Sequence, residues 1–297
     1  MTIFTALLRT MRPRQWPKNI LFVFPALVFD GQLFNPDSFL RVAAAACLLI
    51  VVSGTVYIIN DLVDVEKDRL HPKKRFRPIP AGALPVPAAI GAAVALPSIA
   101  LVAAIALSVP LALVLGLYLI VQLGYSFYFK HVPIVDVLIV TSGFVMRVIA
   151  GVVVIGVQNF SPWLYACTGL LALFLVVGKR RQELITLGEN AAKTRPIFEH
   201  YNLPLLDEML RFVITSTFMT YLLYTIEVNI TPIKDVNLLL FTVPPVLYGL
   251  MRYMYLIHIK GEGAAPEEVL LTDRPVQITI LVWIVIVVSV IYLPTLL

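Results

Sequence analysis

Three aspartates near the end of the second long apolar segment are the residues of this chain best suited to chemistry. Asp61, Asp64 and Asp68 stand at positions i, i+3 and i+7, and a continuous helix would place them on one face. Asn60 lies one turn before Asp64. Because carboxylates this close repel one another, we expect a cation to neutralise them. Mg²⁺ is the natural ion, since it binds carboxylates and completes its coordination with water and phosphate oxygens.

A basic segment rich in proline follows the aspartates directly, over residues 69–82. Its prolines predict the end of the helix and an extended, turning backbone. Such a turn would bring Lys73, Arg75 and Arg77 back toward the carboxylates, where they could bind phosphate. For the aspartates, the alternative is a solvated helix end whose charges balance the following basic loop. For the basic residues, the alternative is positive-inside bias, which does not explain why they adjoin the aspartates.

A second polar group lies around the fifth apolar segment. Tyr125 and Lys130 precede it, Asp136 begins it, and Arg147 stands three turns later, too far to pair with Asp136 on a straight helix. An arginine inside a membrane span costs about 2.5–3.5 kcal/mol on insertion scales, so it needs partners or a water-filled cavity. We therefore expect Asp136 and Arg147 to find partners across the bundle, where a metal–phosphate cluster would supply them, and neighbouring polar side chains are the alternative. We count Asp136 with the three aspartates as catalytic.

Two further basic clusters flank apolar segments. Lys18 and Asn19 precede the first segment, and Lys179 and Arg180 follow the sixth. Membrane anchoring and phosphate binding explain these residues equally well from the local sequence.

The elements that position these residues are predicted to be membrane-spanning helices. Of 297 residues, 59% are hydrophobic and only 14% are charged, whereas soluble proteins carry about 25% charged residues. A span needs about 20 mainly apolar residues. The chain is therefore predicted to be an all-α, nine-helix bundle in one domain, residues 1–297. The predicted spans lie at about 19–36, 38–59, 84–106, 109–129, 133–156, 161–178, 209–228, 236–257 and 276–296.

The basic residues predict how the bundle lies in the membrane. If nine spans alternate, 20 of the 23 Lys and Arg residues fall on one side, and the positive-inside rule makes that side cytoplasmic. The N-terminus and the long loops at 60–83 and 179–208 would then face the cytoplasm, as would the active site. This arrangement predicts a multi-pass membrane protein that binds anionic lipids or phosphorylated substrates, with no nucleic-acid partner. The absence of repeated halves disfavours a transporter.

The aspartate segment resembles a known family signature. Asn60-Asp61-x-x-Asp64-x-x-x-Asp68, followed by residues 77–82, is similar to the first motif of the UbiA-type membrane prenyltransferases. The resemblance covers essentially the whole chain. It implies a nine-helix fold and a prenyl diphosphate bound through Mg²⁺ between two aspartate-rich motifs.

The second motif departs from the family pattern. Asp136 is followed four residues later by Val140 instead of a second aspartate, and the spacing from Tyr125 to Lys130 is one residue longer than usual. This departure disfavours a conventional prenyltransferase, which would transfer a prenyl group to an aromatic or quinone-precursor acceptor. That enzyme remains the alternative.

Five separated segments resemble the phosphoribosyltransferase branch of the family instead: residues 12–19, 71–79, 130–131, 136 with 147–151, and 178–180. This resemblance implies transfer of 5-phosphoribose from phosphoribosyl diphosphate to decaprenyl phosphate, toward the arabinogalactan of a cell wall. Asn60 and the aspartates at 61, 64 and 68 would hold Mg²⁺. The phosphate-binding residues would be Lys18, Asn19, Lys73, Arg75, Arg77, Tyr125, Lys130, Arg147, Lys179 and Arg180. Membrane lipids are further expected partners, and a homo-oligomer is compatible with the sequence.

Overall fold

The computed structural model describes residues 2–70, 74–228, 237–260, 269 and 272–296. Every regular element in these ranges is helical, which confirms the all-α class. The α-helices are α1 Ile3–Thr10, α2 Trp16–Val23, α3 Pro25–Phe29, α4 Pro36–Val63, α5 Val65–Leu70, α6 Val86–Leu107, α7 Val109–Phe127, α8 Val135–Ile155, α9 Pro162–Leu187, α10 Ala191–Thr194, α11 Leu203–Glu227, α12 Val243–Tyr255 and α13 Arg274–Leu296.

Eight helical segments within the described residues are long and apolar enough to cross a membrane. They correspond to the last eight predicted spans, so the chain is a multi-pass membrane protein. The predicted first span, 19–36, is instead the two short helices α2 and α3. The break falls at Phe24 because Pro25 has no N–H to continue the helical hydrogen bonds.

The helix of the sixth predicted span ends nine residues later than predicted. Helix α9 continues to Leu187, whereas the sequence predicted that the span ends near residue 178. Lys179 and Arg180 therefore lie on the helix itself and not in a loop after it.

The broken segment α2–α3 packs antiparallel along α4. Asn19 donates a hydrogen bond to Ser53 Oγ at 3.0 Å, and the ring of Phe24 packs edge-on against Phe39 with 5.5 Å between centroids. Before α2, Arg12 reaches Asp61 at the other end of α4. These contacts follow α4 from residue 39 to 61, which is about 33 Å of helix.

The chain divides into two compact units, residues 1–127 with 146–158, and residues 128–145 with 159–297. The first unit is built around apolar side chains of α4 and α7, including Leu49 and Leu115. The second has its own apolar core, which includes Phe174 of α9 and Leu210 of α11. Each unit thus buries a separate set of side chains.

A glycine permits a close approach between two helices in the first unit. A Cβ on Gly151 of α8 would lie 2.2 Å from the Val23 carbonyl oxygen of α2. We expect Gly151→Ala to destabilise the protein by about 1–3 kcal/mol, the usual cost of overpacking, and to lower its melting temperature in detergent. Gly116→Ala is the control, since no atom lies within 4 Å of a Cβ there. Equal melting temperatures for the two variants would contradict the close approach.

Candidate active site

Two of the three predicted aspartates converge at the end of α4. The helix breaks at Asp64, where α4 gives way to α5, so the three side chains do not stand on one unbroken helix. Asp61 and Asp68 nevertheless meet: Arg77 Nη1 donates to Asp61 Oδ1 at 3.0 Å and to Asp68 Oδ2 at 2.7 Å. Both carboxylates are only 2% exposed, while Asn60 and Asp64 are half-buried.

A second arginine reaches Asp61 from the N-terminal segment. Arg12 Nη2 donates to Asp61 Oδ1 at 2.8 Å, and its guanidinium lies 4.5 Å from the centre of the Tyr57 ring. The backbone of Arg12 is left-handed, with φ +54°. Met11, the preceding residue, packs against Gly54, where a Cβ would lie 2.6 Å from Met11 Cε. Gly54 therefore lets the segment approach α4 closely enough for Arg12 to reach the carboxylate.

The basic side chains of the loop after the aspartates are not all placed as the sequence predicted. Arg77 turns back to the carboxylates as expected. Arg75 is exposed, and its guanidinium lies 4.8 Å from the centre of the Phe76 ring. Lys74, which was not among the predicted site residues, lies 3.7 Å from Asp68. Lys73 falls outside the described residues.

A cavity of about 280 Å³ opens beside these side chains. It is lined by Arg9, Thr10, Arg12, Asp61, Phe76, Arg77 and Pro78. Three arginines and one carboxylate give the lining a positive balance, which suits an anion such as a phosphate group. Arg9 is a lining residue that the sequence did not indicate.

The two carboxylates fit a divalent cation whose remaining ligands come from a substrate. Within the described ranges, no three His, Cys, Asp or Glu side chains form a ready-made metal site. Asp61 and Asp68 do converge on one cationic nitrogen. Mg²⁺ usually binds proteins through one or two carboxylates, and substrate phosphates and water supply the remaining ligands. The donor set therefore fits Mg²⁺ with a phosphorylated substrate better than Mg²⁺ alone.

Arg147 and Asn19 form a second polar group in the first unit. Arg147 Nε donates to Asn19 Oδ1 at 2.7 Å, and its Nη2 donates to the Tyr118 hydroxyl at 2.9 Å. Asn19 in turn donates to Ser53 Oγ. Asn19 and Tyr118 belong to α2 and α7, so Arg147 has side-chain partners on two neighbouring helices. This arrangement is the alternative to the metal–phosphate cluster expected from the sequence. Lys18, next to Asn19, is half-buried.

Asp136 is the centre of a buried network in the second unit. It is 0% exposed. Its Oδ1 accepts a hydrogen bond from the Tyr201 hydroxyl at 2.7 Å, and its Oδ2 accepts one from Arg180 Nε at 3.2 Å. Arg180 also donates to Glu183 at 3.1 Å. The structure thus brings together two predicted residues, Asp136 and Arg180, and adds Tyr201, for which the sequence carried no signal.

Burial raises the pKa of Tyr201, and the hydrogen bond to the Asp136 carboxylate raises it further. The phenol therefore stays neutral and acts as a donor to Asp136 over the physiological pH range.

The remaining predicted residues, Tyr125, Lys130 and Lys179, are half-buried. Lys130 lies in the short helical turn Phe129–His131, between α7 and α8.

The sequence of this chain matches the model of the UbiA prenyltransferase family over residues 19–265. The chain belongs to that family. This confirms the prediction that was made from the aspartate motif. The match begins at Asn19 and includes every aspartate of the site.

Curated relatives agree with the branch that the five segments indicated. The chain is 34% identical to the decaprenyl-phosphate phosphoribosyltransferase of Corynebacterium glutamicum, over 97% of this chain and 87% of the relative. It is also 34% identical to the enzyme of the same name from Mycolicibacterium smegmatis, over 95% and 91% of the two chains.

The fold resembles solved structures at much lower identity. A UbiA homolog from Archaeoglobus fulgidus, solved bound to DMAPP and Mg²⁺, matches with a TM-score of 0.73 at 19% identity. The match covers 96% of this chain and 99% of that one. This likeness shows a shared fold.

The Arg77 guanidinium, which contacts both Asp61 and Asp68, should contribute to the stability of the protein. Replacing Arg77 by Gln leaves two buried carboxylates facing each other, and breaking a buried pair costs about 3–5 kcal/mol. Arg77 is 31% exposed, so solvent reduces the expected loss to roughly 1–3 kcal/mol. We expect Arg77→Gln to lower the melting temperature in EDTA and Mg²⁺ to restore part of the loss. Arg75→Gln, in the same loop but away from the aspartates, is the control. Identical melting curves for both variants would refute the shared contact.

Proposed function

We propose that this protein transfers 5-phosphoribose from phosphoribosyl diphosphate to a polyprenyl phosphate and releases diphosphate, in a reaction that depends on Mg²⁺. The observation that carries the proposal is the convergence of Asp61 and Asp68 beside a cavity lined by arginines. The names of the relatives support the choice of donor and acceptor.

The proposed reaction is a displacement at ribose C1. The bond from C1 to the diphosphate oxygen breaks, and a bond from C1 to an oxygen of the lipid phosphate forms. The acceptor is already an anion, so positioning contributes more than a general base. Bound Mg²⁺ would neutralise the charge that develops on the leaving diphosphate.

Basic residues of the chain would hold the phosphate groups of the two substrates. Arg77, Arg12 and Lys74 contact the carboxylates in the structure, and we propose that they pass to phosphate oxygens when a metal and substrate bind. Donor and acceptor together bring four phosphates, which explains why basic residues outnumber what one diphosphate needs. For this role we retain the residues predicted from sequence: Lys18, Lys73, Arg75, Lys130 and Lys179.

Two predicted phosphate-binding arginines are better placed as supports. Arg147 and Arg180 are buried in hydrogen-bond networks with side chains of neighbouring helices. We propose that they position the helices that carry the site, together with Asn19 and Asp136.

The topology supports a site on the cytoplasmic side. We propose that α2 and α3 together make the ninth crossing, because their contacts follow α4 from Phe39 to Asp61. The N-terminus and the basic loops then share the cytoplasmic face of a bacterial inner membrane. The family model extends over both compact units, which supports one UbiA-type domain for residues 1–297.

An activity assay separates this proposal from conventional prenyl transfer. The purified protein in detergent receives Mg²⁺, labelled phosphoribosyl diphosphate and a polyprenyl phosphate. A parallel reaction receives a labelled prenyl diphosphate and aromatic acids. We expect label in the lipid-soluble product of the first reaction only, and its loss in EDTA.

The same assay tests the aspartate site. Asp61→Asn should reduce turnover at least about 100-fold, as loss of charge stabilisation at a reacting group does. Asp37→Asn, at the exposed opposite end of α4, should keep near wild-type turnover. Product in the parallel reaction alone would establish a conventional prenyltransferase.

A further inference from the structure

The hydroxyl of Tyr201 bonds to two residues at the start of α8. It accepts a hydrogen bond from the backbone N–H of Ile134 at 2.8 Å and donates one to Asp136 Oδ1 at 2.7 Å. Tyr201 is 5% exposed. One buried hydroxyl therefore connects the turn before α8 to the first turn of α8.

The turn that Tyr201 holds is strained. Ile134 has φ +68°, a left-handed conformation that β-branched residues avoid. Such a conformation persists only where the surrounding structure enforces it. On either side, Asp136 N bonds to Val132 O and Val132 N bonds to Phe129 O. The Ile134 amide points instead to the tyrosine hydroxyl.

The direction of these bonds explains the position of Asp136. A phenol has one proton to donate and lone pairs to accept with. Tyr201 donates its hydroxyl hydrogen bond to Asp136, so a lone pair of the hydroxyl oxygen accepts from the Ile134 amide. The other carboxylate oxygen is fixed by Arg180, which Glu183 holds in turn. Both oxygens of Asp136 are thus engaged in orienting Tyr201 and Arg180.

The strained turn carries Lys130, four residues before Ile134. Lys130 lies in the helical turn Phe129–His131, which packs against the turn Pro196–His200 immediately before Tyr201. Lysine carries a point charge on a flexible side chain, so how strongly it binds a phosphate group depends on where its backbone is held.

We propose that Tyr201 is a positioning residue that fixes residues 129–134 and so places Lys130 against a phosphate group of the donor. This inference rests on the proposed function, in which Lys130 binds phosphoribosyl diphosphate. Tyr201 lies outside every motif found in the sequence, and Asp136 then serves to position Tyr201.

The test removes the hydroxyl alone. In Tyr201→Phe, the 129–136 peptide should exchange its amide hydrogens faster, and the Kd for phosphoribosyl diphosphate with Mg²⁺ should rise about tenfold, as one lost hydrogen bond allows. Tyr221→Phe is the matched control. Its hydroxyl is also buried in the second unit and bonds to Thr242 and Trp283, so it should lose similar thermal stability with no change in that peptide or that Kd.

A double mutant shows whether the effect passes through Lys130. In a Lys130→Met background, Tyr201→Phe should change the Kd by less than about twofold, because coupled residues are not additive. A full tenfold loss in that background would overturn the proposal, as would an unchanged exchange rate or an unchanged Kd in the single variant.

A wild-type protein that binds inorganic diphosphate but not phosphoribosyl diphosphate would refute the proposed function. The Tyr201 comparison is then made with inorganic diphosphate, so that either outcome still decides the positioning role.

Discussion

The contact of one guanidinium with two buried carboxylates is the interaction on which the candidate site depends. Asp61 and Asp68 lie at the end of a membrane-spanning helix, where two unpaired charges would be costly. Arg77 compensates both, and Arg12 adds a second cation to Asp61. Because these arginines come from the N-terminal segment and from the loop before α6, the same charges also fix the path of both segments. In the proposed mechanism, a metal ion and a phosphorylated substrate take over that compensation.

The same principle governs the other buried polar groups. Arg147 is satisfied by Asn19 and Tyr118, and Asp136 by Tyr201 and Arg180. In lipid a polar side chain must find partners within the protein. Each such residue therefore connects at least two helices or turns. A residue that is predicted to be catalytic from the sequence can instead position the catalytic residues. This distinction separates Asp136 from Asp61 in the present account.

Features that depend on nearby residues were predicted from the sequence, and contacts between residues far apart in the chain were not. Hydropathy located eight spans because apolar length is a local property, whereas the first predicted span is two short helices, α2 and α3, because Pro25 divides it. Spacing brought Asp61 and Asp68 together because they are separated by only seven residues along the chain. Arg12 and Tyr201 were missed as partners because they lie 49 and 65 residues from the aspartates they contact. No periodicity records a contact of that kind, and only the folded chain shows it.

The central claim is that Asp61 and Asp68 form one cation site that is completed by a phosphorylated substrate. Electron paramagnetic resonance of Mn²⁺, used in place of Mg²⁺, measures this without turnover. We expect weak Mn²⁺ binding to the protein alone and tighter binding with phosphoribosyl diphosphate present. That gain should be lost in both Asp61→Asn and Asp68→Asn but not in Asp37→Asn. Equal Mn²⁺ binding by the wild type and all three variants, with and without phosphoribosyl diphosphate, would contradict it.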